Sequence, residues 1–196
     1  MLSISTGAAR ARTDSGFSNP TVGLSKNYEH ALANLIGFPS LGDKAFAGSD
    51  CVAPSATAAD GIALNVVFSA PMSATGFSFD YRYFTSDFTF SICSEFADQA
   101  GAMLGKENLL RTSLGNDLNS NTRDLDACTP TDPYVCSLGT DSLQNTGYLS
   151  GAATGWKTTP NIPISPGRFF TLRFVIWDSA DGLSDSTLLI DNFRWF

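Results

Sequence analysis

Gly76-Phe77-Ser78-Phe79-Asp80-Tyr81-Arg82-Tyr83-Phe84 is the stretch whose reading decides the fold. Phe77, Phe79, Tyr81 and Tyr83 fall on one side of an extended chain, and Ser78, Asp80 and Arg82 on the other. Successive strand side chains point to opposite faces, so this alternation predicts a strand with one buried face and one wet face. Upstream, Gly61–Ser69 repeats the pattern with Ile62, Leu64, Val66 and Phe68, and Pro71 ends it because proline has no N–H for a ladder. A third run, Phe88–Ile92, sets Phe88, Phe90 and Ile92 against Thr89 and Ser91. Near the C-terminus, Arg168–Trp177 aligns Phe170, Leu172, Phe174 and Ile176, and Ser186–Trp195 reads as the last strand. The expectation is an all-β fold, an antiparallel β-sandwich of jelly-roll type. One short helix, Asn27–Ile36, is expected before Gly37, and long loops with short strands fill about residues 105–165.

With 196 residues the chain fits one domain, residues 1–25 serving as an edge strand or an arm. Fifteen Phe and seventeen Gly accompany a charged share of only 16%, a balance of large core residues and turn residues. A net charge of −7, with four lysines, repels phosphates and anionic membrane surfaces, so nucleic acid and membrane partners are not expected. No apolar run approaches the roughly 18 residues of a membrane-spanning helix. The opening MLSISTGAAR lacks a charged segment followed by an apolar core, so an exported form is expected to have lost its signal.

Cys51, Cys93, Cys128 and Cys136 form no CxxC pair, and His30 is the lone histidine, so a zinc site is not indicated. Two disulfides are expected instead, with buried free thiols as the alternative. Cys128 and Cys136 bracket the polar segment Thr129–Val135, and Cys51 and Cys93 pair by elimination. Disulfides place the protein outside the reducing cytosol, at the cell surface or beyond it.

Acidic residues gather near the C-terminus. Asp178, Asp181 and Asp185 belong to the loop between two neighbouring strands, and Asp191 shares a face with Leu189, Phe193 and Trp195. A carboxylate on that apolar face must be paired, with Arg173, Arg194 or Arg82, or must hold a cation. Calcium fits oxygen-rich sites of this kind. The competing reading makes Asp181–Gly182 a hairpin turn with Asp178 and Asp185 capping backbone amides. Asp87, with Glu95 and Asp98, is a second acidic group that either caps the following segment or supplies oxygens to an ion.

Catalysis finds little support. His30 sits in the helical stretch, and no G-x-S-x-G, H-E-x-x-H or phosphate loop occurs. Among loop aromatics, Trp156 in GAATGWKTTP is the candidate sugar-stacking platform, with Tyr134 and Tyr148 behind it. The alternative places Trp156 in the core between the sheets.

The order of several segments resembles the choice-of-anchor L domain family. These are S-I-S-T-G from Ser3, D-G-I-A-L from Asp60 and the run from Ser69 to Phe88. S-E-F-A-D-Q from Ser94, G-A-A-T-G-W from Gly151 and the long run from Pro166 to Phe193 follow. The resemblance spans the whole chain and implies an exported bacterial surface protein, without naming an activity. Asp87–Phe88 stands where the family has Glu before an aromatic, and Ala97 where it has Asn before the Asp, so ion ligands implied there are altered. The leading expectation is therefore a non-catalytic surface or matrix protein of adhesion or self-assembly, calcium-stabilised, with a carbohydrate-binding module as the alternative.

Overall fold

The computed structural model describes residues 1–7, 12–17, 19–20, 42 and 52–196. Cys51, His30 and the expected helix Asn27–Ile36 lie outside the described residues. Eleven strands are described: β1 Leu2–Ser5, β2 Ala58–Ser69, β3 Gly76–Thr85, β4 Gln99–Leu104, β5 Glu107–Asn108 and β6 Leu125–Ala127. They continue with β7 Ala152–Thr154, β8 Lys157–Thr158, β9 Ile162–Pro163, β10 Phe169–Ser179 and β11 Ser186–Trp195. All pairings are antiparallel and fall into two sheets. One sheet runs β1-β11-β3-β7-β6, with β8 and β9 also on β3, and the other runs β2-β10-β4-β5. The described residues therefore form the all-β sandwich that the alternating runs predict.

The buried faces are those the period-2 pattern marks. Phe77, Phe79, Tyr81 and Tyr83 from β3 meet Leu172, Phe174 and Ile176 from β10, with Leu64, Val66 and Phe68 of β2 packed alongside. Rings concentrate at one end of this core. Phe193 stacks on Phe68 and Phe77 with centroids 4.6 and 5.2 Å apart, and Trp195 meets Phe193 edge-on at 4.9 Å. Each fully buried aromatic or aliphatic side chain contributes roughly 1.5–3 kcal/mol of transfer free energy. The opposite face of β10 and β4 carries a second buried cluster of Met103, Val175 and Trp177 with Ala58.

Two departures from the sequence pattern have clear causes. Phe88–Ile92 is a set of turns and not a strand: the Ser91 N–H donates to the Asp87 carbonyl at 2.8 Å, and that of Ser94 to Ser91 at 3.2 Å. The turn parts the two phenylalanines. Phe88 is buried edge-on against Tyr134 at 5.2 Å, while Phe90 is 96% exposed. The second departure is the acidic loop, which joins strands of different sheets. β10 and β11 lie in opposite layers, so Asp181–Gly182 crosses the end of the sandwich and does not close a hairpin.

Cys128 and Cys136 form a disulfide across the Thr129–Val135 segment, with both sulfurs buried beside Phe88, Leu125 and Tyr134. Cys93 is also disulfide-bonded.

Candidate functional site

The acidic residues separate into two places. Asp178 is a strand residue, not a loop residue as its sequence position suggests, standing two positions beyond Ile176 on the inward face of β10. A bulge lies there, because Ile176 pairs with Ile62 but Asp178 with Ala59, and Asp60 on β2 has a positive φ of 45°. Asp185 immediately precedes β11 and is buried, its carboxylate lying so close to Gly7 that a β-carbon there would overlap it. Asp87 and Asp98, which the sequence sets apart as a separate group, come to the same sandwich end and are buried too.

Hydrogen bonds knit these segments together. The Asp98 N–H donates to Asp87 Oδ2 at 3.0 Å, the Ser179 N–H to Asp98 Oδ1 at 3.4 Å, and the Ser186 hydroxyl to Asp98 Oδ2 at 2.6 Å. Tyr83, fully buried, donates its hydroxyl to Ser186 Oγ at 3.0 Å. Burial raises the pKa of Asp98 well above the carboxylate range, and the charges of Asp178 and Asp87 raise it further. Asp178 is raised by burial as well, the Thr6 hydroxyl partly offsetting it and Asp185 adding to it. Burial pushes Asp87 up to about 7 despite the hydrogen bond from the Asp98 backbone.

Asp181 and Asp191 do not join this cluster at close range. Asp181 accepts the Leu183 N–H at 3.0 Å in a local turn, although its charge still reaches Asp87. Glu95 is exposed, its backbone carbonyl accepting the Ser55 N–H at 2.8 Å. Asp191 is exposed and lies 3.4 Å from the Met1 amino group, so it is neither on the apolar face nor paired with an arginine. The cause is a bulge in β11. Pairing with β3 slips between Asp191 and Arg194, and Asn192 takes a φ of 51°. One extra residue reverses the alternation. Leu188 and Ile190 face the core before the bulge, and Phe193 and Trp195 face it after. Among the described residues, no group of three or more His, Cys, Asp or Glu side chains is drawn up in metal-ligand geometry.

That bulge builds the second place. Asp80, Trp156, Asp191 and Asn192 line an open depression of about 480 Å³ on the outer face of the β11–β3 sheet. Trp156 is 48% exposed, so the expectation that places it between the sheets is not met, whereas Tyr134 and Tyr148 are buried. Asp80 accepts from the Thr158 hydroxyl at 2.7 Å, Asn192 Nδ2 at 2.7 Å and Arg194 at 3.0 Å. Burial is the largest single influence on the Asp80 pKa and raises it, but these donors together outweigh it and hold the carboxyl below its usual value. Asp80 is thus an ionised acceptor in a fixed position beside a presented indole face. A larger and more apolar depression, about 530 Å³ between Leu104, Ile164, Arg168 and Phe169, has no acidic side chain in its lining. No helix among the described residues is long and apolar enough to cross a membrane.

No protein-family model, curated protein or solved structure matches the chain.

Proposed function

We propose that this chain is a non-catalytic extracellular adhesion domain that binds a neutral surface saccharide in the Trp156 depression. The observation that carries the reading is Trp156, half exposed beside a carboxylate already held by three donors. A sugar ring offers an apolar C–H face, which stacks on indole, and a rim of hydroxyls, which donate to a carboxylate. Asp80 has about four acceptor positions and uses three, leaving one for a ligand hydroxyl. Asp80 and Asp191 make the depression anionic, and a net charge of −7 deepens that field, which favours neutral over acidic polysaccharides. The disulfide Cys128–Cys136 and the resemblance to choice-of-anchor L domains both support an exported setting. A panel of neutral and uronic-acid polysaccharides, with calorimetry on any hit, tests it. Trp156→Ala is expected to abolish binding while moving the melting temperature little, because truncating an exposed side chain changes stability by only about 0.5 kcal/mol. Unchanged affinity in that variant would refute the reading.

Self-assembly is supported by a different observation. β2 is a twelve-residue strand at the end of its sheet among the described residues, has no Lys or Arg, and exposes Val67 at 67%. A long edge without basic side chains is a template for another chain. Light scattering over a concentration series, with Val67→Lys as control, tests it; a monomer at every concentration removes it.

A further inference from the structure

Asp178 is one of the buried polar groups that the described residues leave without a clear partner. Its side chain has no solvent exposure, and neither carboxylate oxygen makes a well-formed hydrogen bond, although the Thr6 hydroxyl and the Asp98 carboxyl are near enough to act on it. Asp98 next to it accepts at both oxygens, from the Ser179 N–H and the Ser186 hydroxyl. None of the ion pairs among the described residues involves Asp87, Asp98 or Asp178. A buried carboxylate of this kind costs several kcal/mol unless it is neutralised. A proton is one way to neutralise it, and a cation held by the same oxygens is another.

We infer that Asp98, Asp178 and Asp185, backed by Asp87, bind a calcium-class divalent cation that locks the end of the sandwich. The donors are all hard oxygens, carboxylates with the Thr6 and Ser186 hydroxyls close by, and this set suits calcium or magnesium and not zinc or copper. Four chain segments meet there: the end of β1 with Gly7, the Asp87–Asp98 stretch, the end of β10 and the start of β11. Because the carboxylates are gathered without yet converging on one point, binding draws the Asp178 and Asp185 side chains inward. The inference is independent of the saccharide reading, whose residues lie on the outer sheet face.

The test uses the whole chain stripped with a chelator and then titrated with calcium chloride alone, and with magnesium chloride in parallel. Heat of binding at one site is expected, with a rise in melting temperature of about 5–10 °C at a hundredfold excess over Kd. Asp178→Asn keeps the shape and removes the charge; it is expected to abolish the calcium response and to melt no lower than the stripped wild type. Asp185→Asn serves if that variant does not fold, and Asp191→Asn is expected to keep the full response. Absence of both heat and melting shift in the stripped wild type overturns the inference. A full response in Asp178→Asn overturns it as well.

Discussion

Replacing Asn192 tests the device that joins the core to the depression. Its φ of 51° is in the left-handed region, where an ordinary side chain costs about 1–2 kcal/mol and asparagine is tolerated best. Its Nδ2 also donates to Asp80 Oδ2 at 2.7 Å, an exposed bond contributing about 0.5–1.5 kcal/mol. Asn192→Val loses both, so about 2–3 kcal/mol of stability should go, or roughly 5–10 °C in melting temperature at this chain length. Asn192→Gly loses the bond but keeps the conformation. The valine variant should therefore unfold about 1–2 kcal/mol more easily than the glycine variant, measured by urea unfolding with a shared m-value. Both should weaken saccharide binding, since both release Asp80. Equal stability of the two variants would refute the argument, because it would mean that the backbone at 192 carries no strain and the reversal of faces has another origin.

Removing the disulfide with Cys128→Ser and Cys136→Ser together should lower stability by about 2.5 kcal/mol, the loop-closure entropy for a sequence separation of 8; an unchanged urea midpoint would contradict it. Phe90→Ser, at a 96% exposed position, should leave the melting temperature within about 1–2 °C, which a thermal scan checks. In chelator, stability should fall as pH rises from about 4 to 7. Burial raises Asp87 from 3.8 to about 7 and also raises Asp98 and Asp178. The folded chain then holds protons that the unfolded chain has released, and that stabilisation disappears as pH passes the folded values. Melting between pH 4 and 8 shows it; a rise in stability across that window would contradict it.

The fold was legible where alternation and burial agree. β3 and β10 bury the residues that period 2 assigns to the core, and β11 begins and ends where its pattern does. Alternation failed where a single residue or a turn changed its phase. Phe88, Phe90 and Ile92 alternate as well as β3 does, yet the hydrogen bond from Ser91 to Asp87 closes the chain on itself. At Asn192 one residue in left-handed conformation exchanges the two faces, so Asp191 lies outside although its spacing to Phe193 and Trp195 is that of a shared face. Asparagine at such a position was the available signal, since it is several-fold enriched at positive φ. The meeting of Asp87 and Asp98 with Asp178 and Asp185 was not legible, because it depends on which sheet each strand joins. Nothing in local spacing records that β10 and β11 lie in opposite layers.

β11 ties the two candidate sites into one structural argument. Its first residue, Ser186, binds Asp98 in the carboxylate cluster, and its bulge at Asn192 binds Asp80 in the depression. Six residues of strand separate them, roughly 20 Å at 3.3 Å per residue. Between these points β11 is paired on both sides, to β1 and β3, and is buried against the core, so it transmits position but little charge. A cation at the Ser186 end therefore acts on how firmly β1 and β10 close the sandwich, and not on the charge felt at Trp156. Loss of the cation should lower stability while leaving saccharide affinity unchanged wherever the chain remains folded. This division of work, one end for closure and the other for recognition, follows from a single strand carrying its polar groups at its two ends and its apolar residues in the middle.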